Sequence, residues 1–353
     1  VIGLGLLRAC IALGVAMIGS LAILGCKDAS KADSTPATTL GAAVAPSTSS
    51  LAKVAVSDPM RNDVGTSAAA HTVGGATMKV LEAGQPPRRK LRYLWRLDQK
   101  EQLSLELRTA VSSEGAGTTQ GEVSLPSVHV SIDIDPQSIT PDGDLRYQWR
   151  VTSATVDAAG DTPTNVADGI RAEVADIAHL SGSTLIDSRG LAKEVTGDAG
   201  VLGSGLSAPS MAEQVRQTLR DVAAPFPEEE VGIGARWRKL SQLDEKDALV
   251  TQAETFRLAD LRGTQGTLDD ALAQTAPPQA LHAPGMPPGT RARMESMLAS
   301  GQAKVRFDLS RIVPQTSFDG TTTMVLSGQT AGDTARNVRT VMHVFFAIAG
   351  SRR

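Results

Sequence analysis

The sequence predicts an α+β fold: a curved, half-barrel-like antiparallel β-sheet covered by two amphipathic helices. Three observations predict it. Four segments between residues 91 and 151 alternate apolar and polar residues with period two, as strands with one dry face do. Two later segments, Val166 to Ile177 and Met211 to Val222, change to helical spacing. Alternation then returns at Val231 and persists to the apolar run Val338 to Ile348 at the C-terminal end.

The first strand is read at Leu91, Tyr93, Trp95 and Leu97, and the second at Leu103, Leu105 and Leu107. The third follows Val128, Val130, Ile132 and Ile134, and the fourth follows Leu145, Tyr147, Trp149 and Val151. Pro141-Asp142-Gly143-Asp144 supplies the turn between the last two. Pro163 opens a helix carrying Val166, Ile170, Val174 and Ile177 on one stripe. A hairpin follows, Ser183 to Asp187 and Leu191 to Val195 about an Arg189-Gly190 turn. The second helix starts at Ser207 or Ser210 as N-cap, presents Met211, Val215, Leu219 and Val222, and stops at Pro225 and Pro227. Strands resume at Val231 to Trp237, Ala248 to Leu261, Thr267 to Gln274, Val305 to Leu309 and Met324 to Leu326. Ala276 to Gly289 holds five prolines and is read as a loop, and Arg291 to Leu298 as one short helix.

The N-terminus reads as an address. In Val1 to Gly25 Arg8 is the only charge, and the run Ile11 to Leu24 has the length of a signal-peptide h-region. It ends in Leu21-Ala22-Ile23-Leu24-Gly25-Cys26, followed by polar Lys27-Asp28. This resembles the lipobox of bacterial lipoproteins, with Ile23, Gly25 and Cys26 in place and Leu24 larger than usual. The resemblance implies a diacylglyceryl group on the Cys26 thiol, cleavage before Cys26, and anchoring by acyl chains of the palmitate class at about 0.8 kcal/mol per buried methylene. Lys27, where a retention aspartate would stand, implies the outer membrane. An uncleaved membrane helix and a plain secretory signal are the competing readings. From Lys27 to Pro87, Ala, Ser, Thr, Gly and Pro dominate, giving a spacer with a reach of roughly 40 Å; a short strand around Thr77 to Ala83 is allowed within it. The resulting division is residues 1–25 signal peptide, 26–86 lipidated cysteine and tether, and 87–353 one α+β envelope domain.

The bulk numbers fit. With 35 Lys and Arg against 38 Asp and Glu, the net charge of −3 argues against a nucleic-acid partner. Cys10 and Cys26 are the only cysteines, so residues 27–353 can hold no disulfide and no thiolate metal site. Aromatic residues make up 3%, which leaves the core to aliphatic side chains.

A family resemblance adds to this. Pro86-Pro87-Arg88-Arg89-Lys90-Leu91-Arg92-Tyr93, Thr140-Pro141-Asp142-Gly143-Asp144, Pro227 to Trp237 and Ala276-Pro277-Pro278-Gln279 resemble an uncharacterised bacterial lipoprotein family of myxobacterial type, domain of unknown function 6263, over roughly residues 86 to 330. It implies a lipoprotein and no assigned activity. The layout is also similar to lipoprotein-carrier half-barrels, an analogy of fold only.

Chemistry-bearing motifs are scarce. His71, His129, His179, His282 and His343 lack metal spacing, and there is no His-Glu-x-x-His. Leu202-Gly203-Ser204-Gly205 is no nucleophile elbow, and Gly232-Ile233-Gly234 runs into a strand rather than a helix. Asp133, Asp135, Asp142 and Asp144 match no known calcium loop and read as a solvated hairpin end. Arg88, Arg89, Lys90, Arg92 and Arg96 form a basic strip, read either as an exposed strand face or as a contact for anionic headgroups. The leading functional reading is a non-enzymatic, membrane-anchored envelope lipoprotein that binds lipid or another apolar ligand, without cofactor or metal. A structural or adhesion protein and a hydrolase with an unrecognised site are the alternatives.

Overall fold

A computed structural model describes residues 71–73, 76–115, 118–157, 162–198, 215–245, 248–281, 291–329 and 336–353. Cys10, Cys26, the signal segment, most of the spacer, His282, and the Ser207, Ser210 and Met211 start of the second expected helix lie outside these residues.

The described chain forms fifteen strands and one full helix. In chain order the strands are β1 (His71–Val73), β2 (Ala76–Glu82), β3 (Glu101–Gly115), β4 (Thr118–Ser124), β5 (Val128–Ile139) and β6 (Leu145–Val156). Helix α1 (Thr164–Ile177) comes next, then β7 (Ser181–Ile186), β8 (Ala192–Asp198), β9 (Arg236–Glu245), β10 (Ala248–Arg262) and β11 (Gln265–Ala276). The chain ends with β12 (Gln279–Leu281), β13 (Arg291–Asp308), β14 (Gln315–Gln329) and β15 (Arg336–Arg352).

All fifteen belong to one antiparallel sheet in the order β1-β2-β9-β10-β11-β13-β14-β15-β3-β5-β6-β7-β8, with β12 against β13 and β4 against β3. The expected α+β class with two helices covering the sheet is therefore corrected to a mainly β fold. The physical reason is strand length. β3, β10, β13, β14 and β15 run 15 to 18 residues, so the backbone polar groups of these strands find ladder partners without any helix. Among the described residues α1 packs on β6, and the second helical stretch covers only 215–220. No helix among them is long and apolar enough to cross a membrane.

α1 forms as its spacing predicts, with Ala167, Ile170, Val174 and Ile177 buried on one stripe. The hairpin β7–β8 is closed by Asp187, whose Oδ1 accepts the N–H groups of Arg189 and Leu191 at 2.9 Å, and by Gly190 at φ 85°, a conformation that suits glycine. β2 is the early strand allowed for near Thr77, and it pairs with β9.

Three further expectations are corrected. Residues 91–97 form no strand, although Leu91 and Tyr93 are buried in alternation. The segment bonds singly to loops, Tyr93 N–H to Ser188 O at 2.7 Å and Leu94 N–H to Leu309 O at 2.7 Å, so extended chain never becomes a ladder. Residues 231–235 form a turn ahead of β9, with Gly234 at φ 82° and Ile233 exposed. Arg291 to Leu298 is strand, not helix. A bulge between Met294 and Ser296 inserts one residue, so Met294 and Met297 both turn inward although they stand three apart. That spacing imitates a helix.

The segment after residue 220 is fastened by aromatic side chains. Tyr93 stacks on Trp95 with centroids 4.4 Å apart, Phe226 meets the Phe307 ring edge-on at 5.0 Å, and Trp237 stacks on Phe256 at 5.8 Å. The Tyr93 hydroxyl donates to Ala224 O at 3.2 Å and accepts from Ala224 N–H at 2.9 Å. Trp237 Nε1 donates to Pro225 O at 3.2 Å, and Tyr147 Oη to Leu219 O at 3.1 Å. Tyr93, Tyr147 and Trp237 thus satisfy their polar atoms while filling the core, whereas Trp95 Nε1 is buried without a hydrogen bond.

Candidate functional site

The buried face of the sheet gathers polar groups on β9, β10 and β11. Lys239 follows Ala235 and Trp237 in the inward phase of β9 and stands directly across from Glu254 on β10. Its Nζ lies 2.9 Å from Asp221 Oδ1 and 3.4 Å from Glu254 Oε2. Asp270 on β11 is opposite Phe256, diagonal to Glu254. All four side chains are buried. Burial works against the Lys239 charge, but Asp221 and Glu254 outweigh it and hold the ammonium protonated. Burial also opposes the Glu254 charge, yet Lys239 brings its pKa below the ordinary range. Burial, reinforced by the Glu254 charge, pushes Asp270 up to about 6.

One cross-strand row farther along, residues of six neighbouring strands lie side by side: Ser241, Gln252, Gln274, Ala299, Thr322 and Met342. Gln274 Nε2 donates to Gln252 Oε1 at 2.5 Å. Gln252 Nε2, Gln274 Oε1 and the hydroxyl of Thr322 are buried and make no hydrogen bond; the same holds for Thr340, which pairs with Met324 in the next row. Around them lie Met294, Met297, Met324 and Met342, with Met297 directly opposite Met324. This surface offers adaptable apolar contacts with a few hydrogen-bonding atoms set among them.

The opposite, exposed face carries a cleft of about 640 Å³ lined by Arg257, Asp269, Gln302, Lys304, Asp319 and Phe345, among others. Arg257 already pairs with Asp269 at 2.8 Å, and Arg108 sits 4.0 Å over the Phe345 ring. These are contacts of a solvated sheet face.

The basic strip has internal partners. Arg88 Nε donates to Gly84 O at 2.9 Å, and Arg89 donates to Gly263 O. Lys90 and Arg92 pair with Glu228 at 3.5 and 3.0 Å, joined there by Arg189 at 3.1 Å. Arg96 pairs with Asp98 at 2.8 Å. The Arg189 hydrogen bond, with the neighbouring Arg92 and Lys90 charges, outweighs burial and lowers the Glu228 pKa. Arg88, Arg89, Lys90 and Arg96 stay exposed and Arg92 half-buried. The acidic hairpin end is dispersed among cations: Asp135 takes Lys100 at 2.7 Å, Asp144 takes Lys193 at 2.6 Å, and Asp133 takes Arg353. Among the described residues no group of three or more His, Cys, Asp or Glu is placed to hold a metal ion. His129 pairs with Asp157 and His343 with Thr321.

Sequence reasoning missed Lys239, Glu254, Asp270, Gln252 and Gln274. The available signal was a charged or amide residue in phase with apolar ones: Lys239 with Trp237, Glu254 with Phe256 and Leu258, and Asp270 with Leu268 and Leu272.

The chain matches no protein-family model, and no curated protein matches it. Among solved structures it is similar to OmpT, an outer membrane protein of Vibrio cholerae in its in-vitro folded trimer form. The identity is 9% over 70% of this chain and 100% of that one, with a TM-score of 0.16. It is also similar to OccK11 (OpdR) of Pseudomonas aeruginosa, at 7% identity over 74% of this chain and 98% of that one, with a TM-score of 0.13. Scores this low carry no argument about fold or function.

Proposed function

We propose that this protein is an envelope lipoprotein, anchored to the outer membrane through Cys26, whose buried sheet face from β10 to β15 holds a lipid or another apolar ligand. The observation that carries the reading is the composition of that face. A continuous apolar surface with four methionines surrounds amide and hydroxyl atoms that have no internal hydrogen-bond partner. Core polar atoms are ordinarily paired, whereas ligand sites are apolar with a small number of placed polar groups. The lipobox-like Ile23-Leu24-Gly25-Cys26 supports the anchor. The exposed cations Arg88, Arg89 and Lys90 are proposed to add a weak contact to anionic headgroups, weak because each already has an internal partner.

Two measurements test this. Cys26→Ser should move the protein from the membrane to the soluble fraction; persistence in the membrane retires the lipid anchor. Native mass spectrometry of the mature protein, gently extracted, should show adducts of lipid mass. A bare mass together with no uptake of an apolar fluorophore retires the ligand.

A second reading, a hydrolase, rests on Asp270 and Glu254, adjacent carboxyls whose pKa values are driven in opposite directions beside Lys239, as an acid and a base require. Ester hydrolysis abolished by Asp270→Asn would support it. No turnover of short- and long-chain esters retires it.

A further inference from the structure

We infer that the cleft on the exposed face of the sheet binds a neutral, hydroxyl-rich ligand, an oligosaccharide laid across the strands from β10 to β15. This goes beyond the lipid-binding reading and does not depend on it, since the two sites lie on opposite faces. Register builds the cleft from two cross-strand rows. Thr255, Ala271, Gln302, Asp319 and Phe345 stand side by side in one, and Arg257, Asp269, Lys304 and Ser317 in the next. Ala271 and Ser317 are short and form the floor, and the longer Arg257, Gln302, Lys304 and Phe345 rise around them. The volume of about 640 Å³ lies within the range of small-ligand sites, about 300–1,000 Å³. At a strand spacing of about 4.8 Å, the trough from β10 to β15 is about 19 Å long, enough for several sugar rings in line.

The ligand's chemistry follows from the groups left over once the internal contacts are made. Arg257 is held by Asp269 at 2.8 Å, and Arg236 by Glu82 at 2.9 Å. Gln302, Lys304 and Asp319 are exposed, and among the described residues their side chains have no hydrogen bond or ion pair. Lys304 and Asp319 are diagonal neighbours on β13 and β14, about 7 Å apart at the backbone. One such cation and one such carboxylate favour neither sign of ligand. An anion meets Asp319 and Asp269, and a cation meets Lys304 and Arg257. Two adjacent hydroxyls of a sugar ring answer both, one accepting from the Lys304 ammonium and the other donating to the Asp319 carboxylate, while the Gln302 amide can donate and accept beside them. Arg108 lies 4.0 Å over the Phe345 ring from β3 and takes no part in the lining, so it braces the ring and leaves the side toward Asp319 to the cleft. That side offers an apolar surface to the C–H face of a pyranose.

The test uses the full chain, extracted in a detergent that carries no sugar, with cellotetraose and chitotetraose as neutral probes and dextran sulfate as the anionic one. Saturation-transfer NMR should show binding of a neutral tetrasaccharide, unchanged in high salt. Asp319→Ala and Phe345→Ala should each weaken it roughly tenfold, about the effect of one hydrogen bond to a charged group or of one lost ring contact. Arg306→Ala, which removes an exposed cation of β13 outside the cleft, should leave it unchanged. Should Phe345→Ala fail to fold, Asp319→Ala decides, because that side chain is exposed and holds nothing in the protein. No transfer to either tetrasaccharide, binding that survives Asp319→Ala, or salt-sensitive binding of dextran sulfate alone overturns the inference. The lipid-binding reading is tested separately by its own mass spectra and stands or falls without it.

Discussion

The Lys239 ammonium lies 2.9 Å from the Asp221 carboxylate, and both side chains are shut away from solvent, at 6% and 9% exposure. Asp221 sits just beyond the helical residues 215–220, whereas Lys239 is on the sheet, so this bond fixes the 215–227 segment against β9. Lys239→Met takes the ammonium away from the buried Asp221 carboxylate and from Glu254. It should lower the unfolding free energy by about 3–5 kcal/mol, the usual result of breaking a buried pair from one side. Urea unfolding followed by tryptophan fluorescence reads this directly, since Trp237 is two residues away. Adding Asp221→Asn should recover part of the loss; strictly additive losses would mean that the two groups are not coupled.

Asp270 makes stability depend on pH. Its carboxyl is pushed from 3.8 up to about 6 in the folded protein, so the fold holds that proton more tightly than the open chain does. The associated stabilisation is complete below about pH 4 and disappears as pH rises through 6, a loss of about 3 kcal/mol for a two-unit shift. Asp270→Asn does not titrate there. Its stability should be flatter between pH 4.5 and 7.5 than the wild type's, and greater than the wild type's at pH 7.5. Burial also raises Glu101, and since both proteins keep that carboxyl, its slope cancels in the comparison. Parallel pH profiles would show that Asp270 is not the group responsible.

Gly232 tests the seam between the segment 83–87 and the turn before β9. Its N–H donates to Ala83 O at 2.9 Å, and a Cβ added to it would stand 1.8 Å from the Gln85 carbonyl oxygen. Backbone cannot retreat as a side chain does, so Gly232→Ala should cost on the order of 3 kcal/mol. Gly143→Ala is the comparison. There φ is 85° but nothing lies within 4 Å, and the left-handed conformation alone costs about 1 kcal/mol. Equal midpoint shifts in thermal unfolding would remove the steric account of Gly232.

Alternation revealed much of the sheet, although at 91–97 and 231–235 it gave extended chain and a turn instead. Leu103 to Leu107, Val128 to Ile134 and Leu145 to Val151 became strands in the phase that their apolar residues set, and the apolar run Val338 to Ile348 became a strand as expected. Length was not legible. β13 and β14 continue through Ser300-Gly301-Gln302 and Asp319-Gly320-Thr321, where small and polar residues interrupt the pattern while the ladder continues, Gly301 facing Gly320. Helical coverage was overestimated because Met294 and Met297 owe their helix-like spacing to a bulge, which leaves no mark in composition. The candidate site was illegible for a different reason. Lys239, Glu254 and Asp270 come from three strands and meet only through register, so no local motif encloses them. Read as in-phase charges on otherwise apolar faces, they were the visible trace of it.

Thr322 and Thr340 set stability against binding. Both hydroxyls are fully buried without a hydrogen bond, a loss of about 1 kcal/mol each on the usual scale for unsatisfied polar groups. Valine has the same shape and an equal or better strand preference, so Thr322→Val and Thr340→Val should each raise the unfolding free energy of the ligand-free protein by about 1 kcal/mol. Were the hydroxyls incidental to function, these gains would carry no penalty. If they hold the polar end of a bound lipid, each gain should come with fewer lipid-mass adducts in native mass spectrometry than the wild type shows. Melting temperatures of the delipidated proteins, set beside those mass spectra, decide between the two. Variants that are less stable than wild type without ligand would mean that the hydroxyls are already bonded within the fold, and the site would lose its polar row.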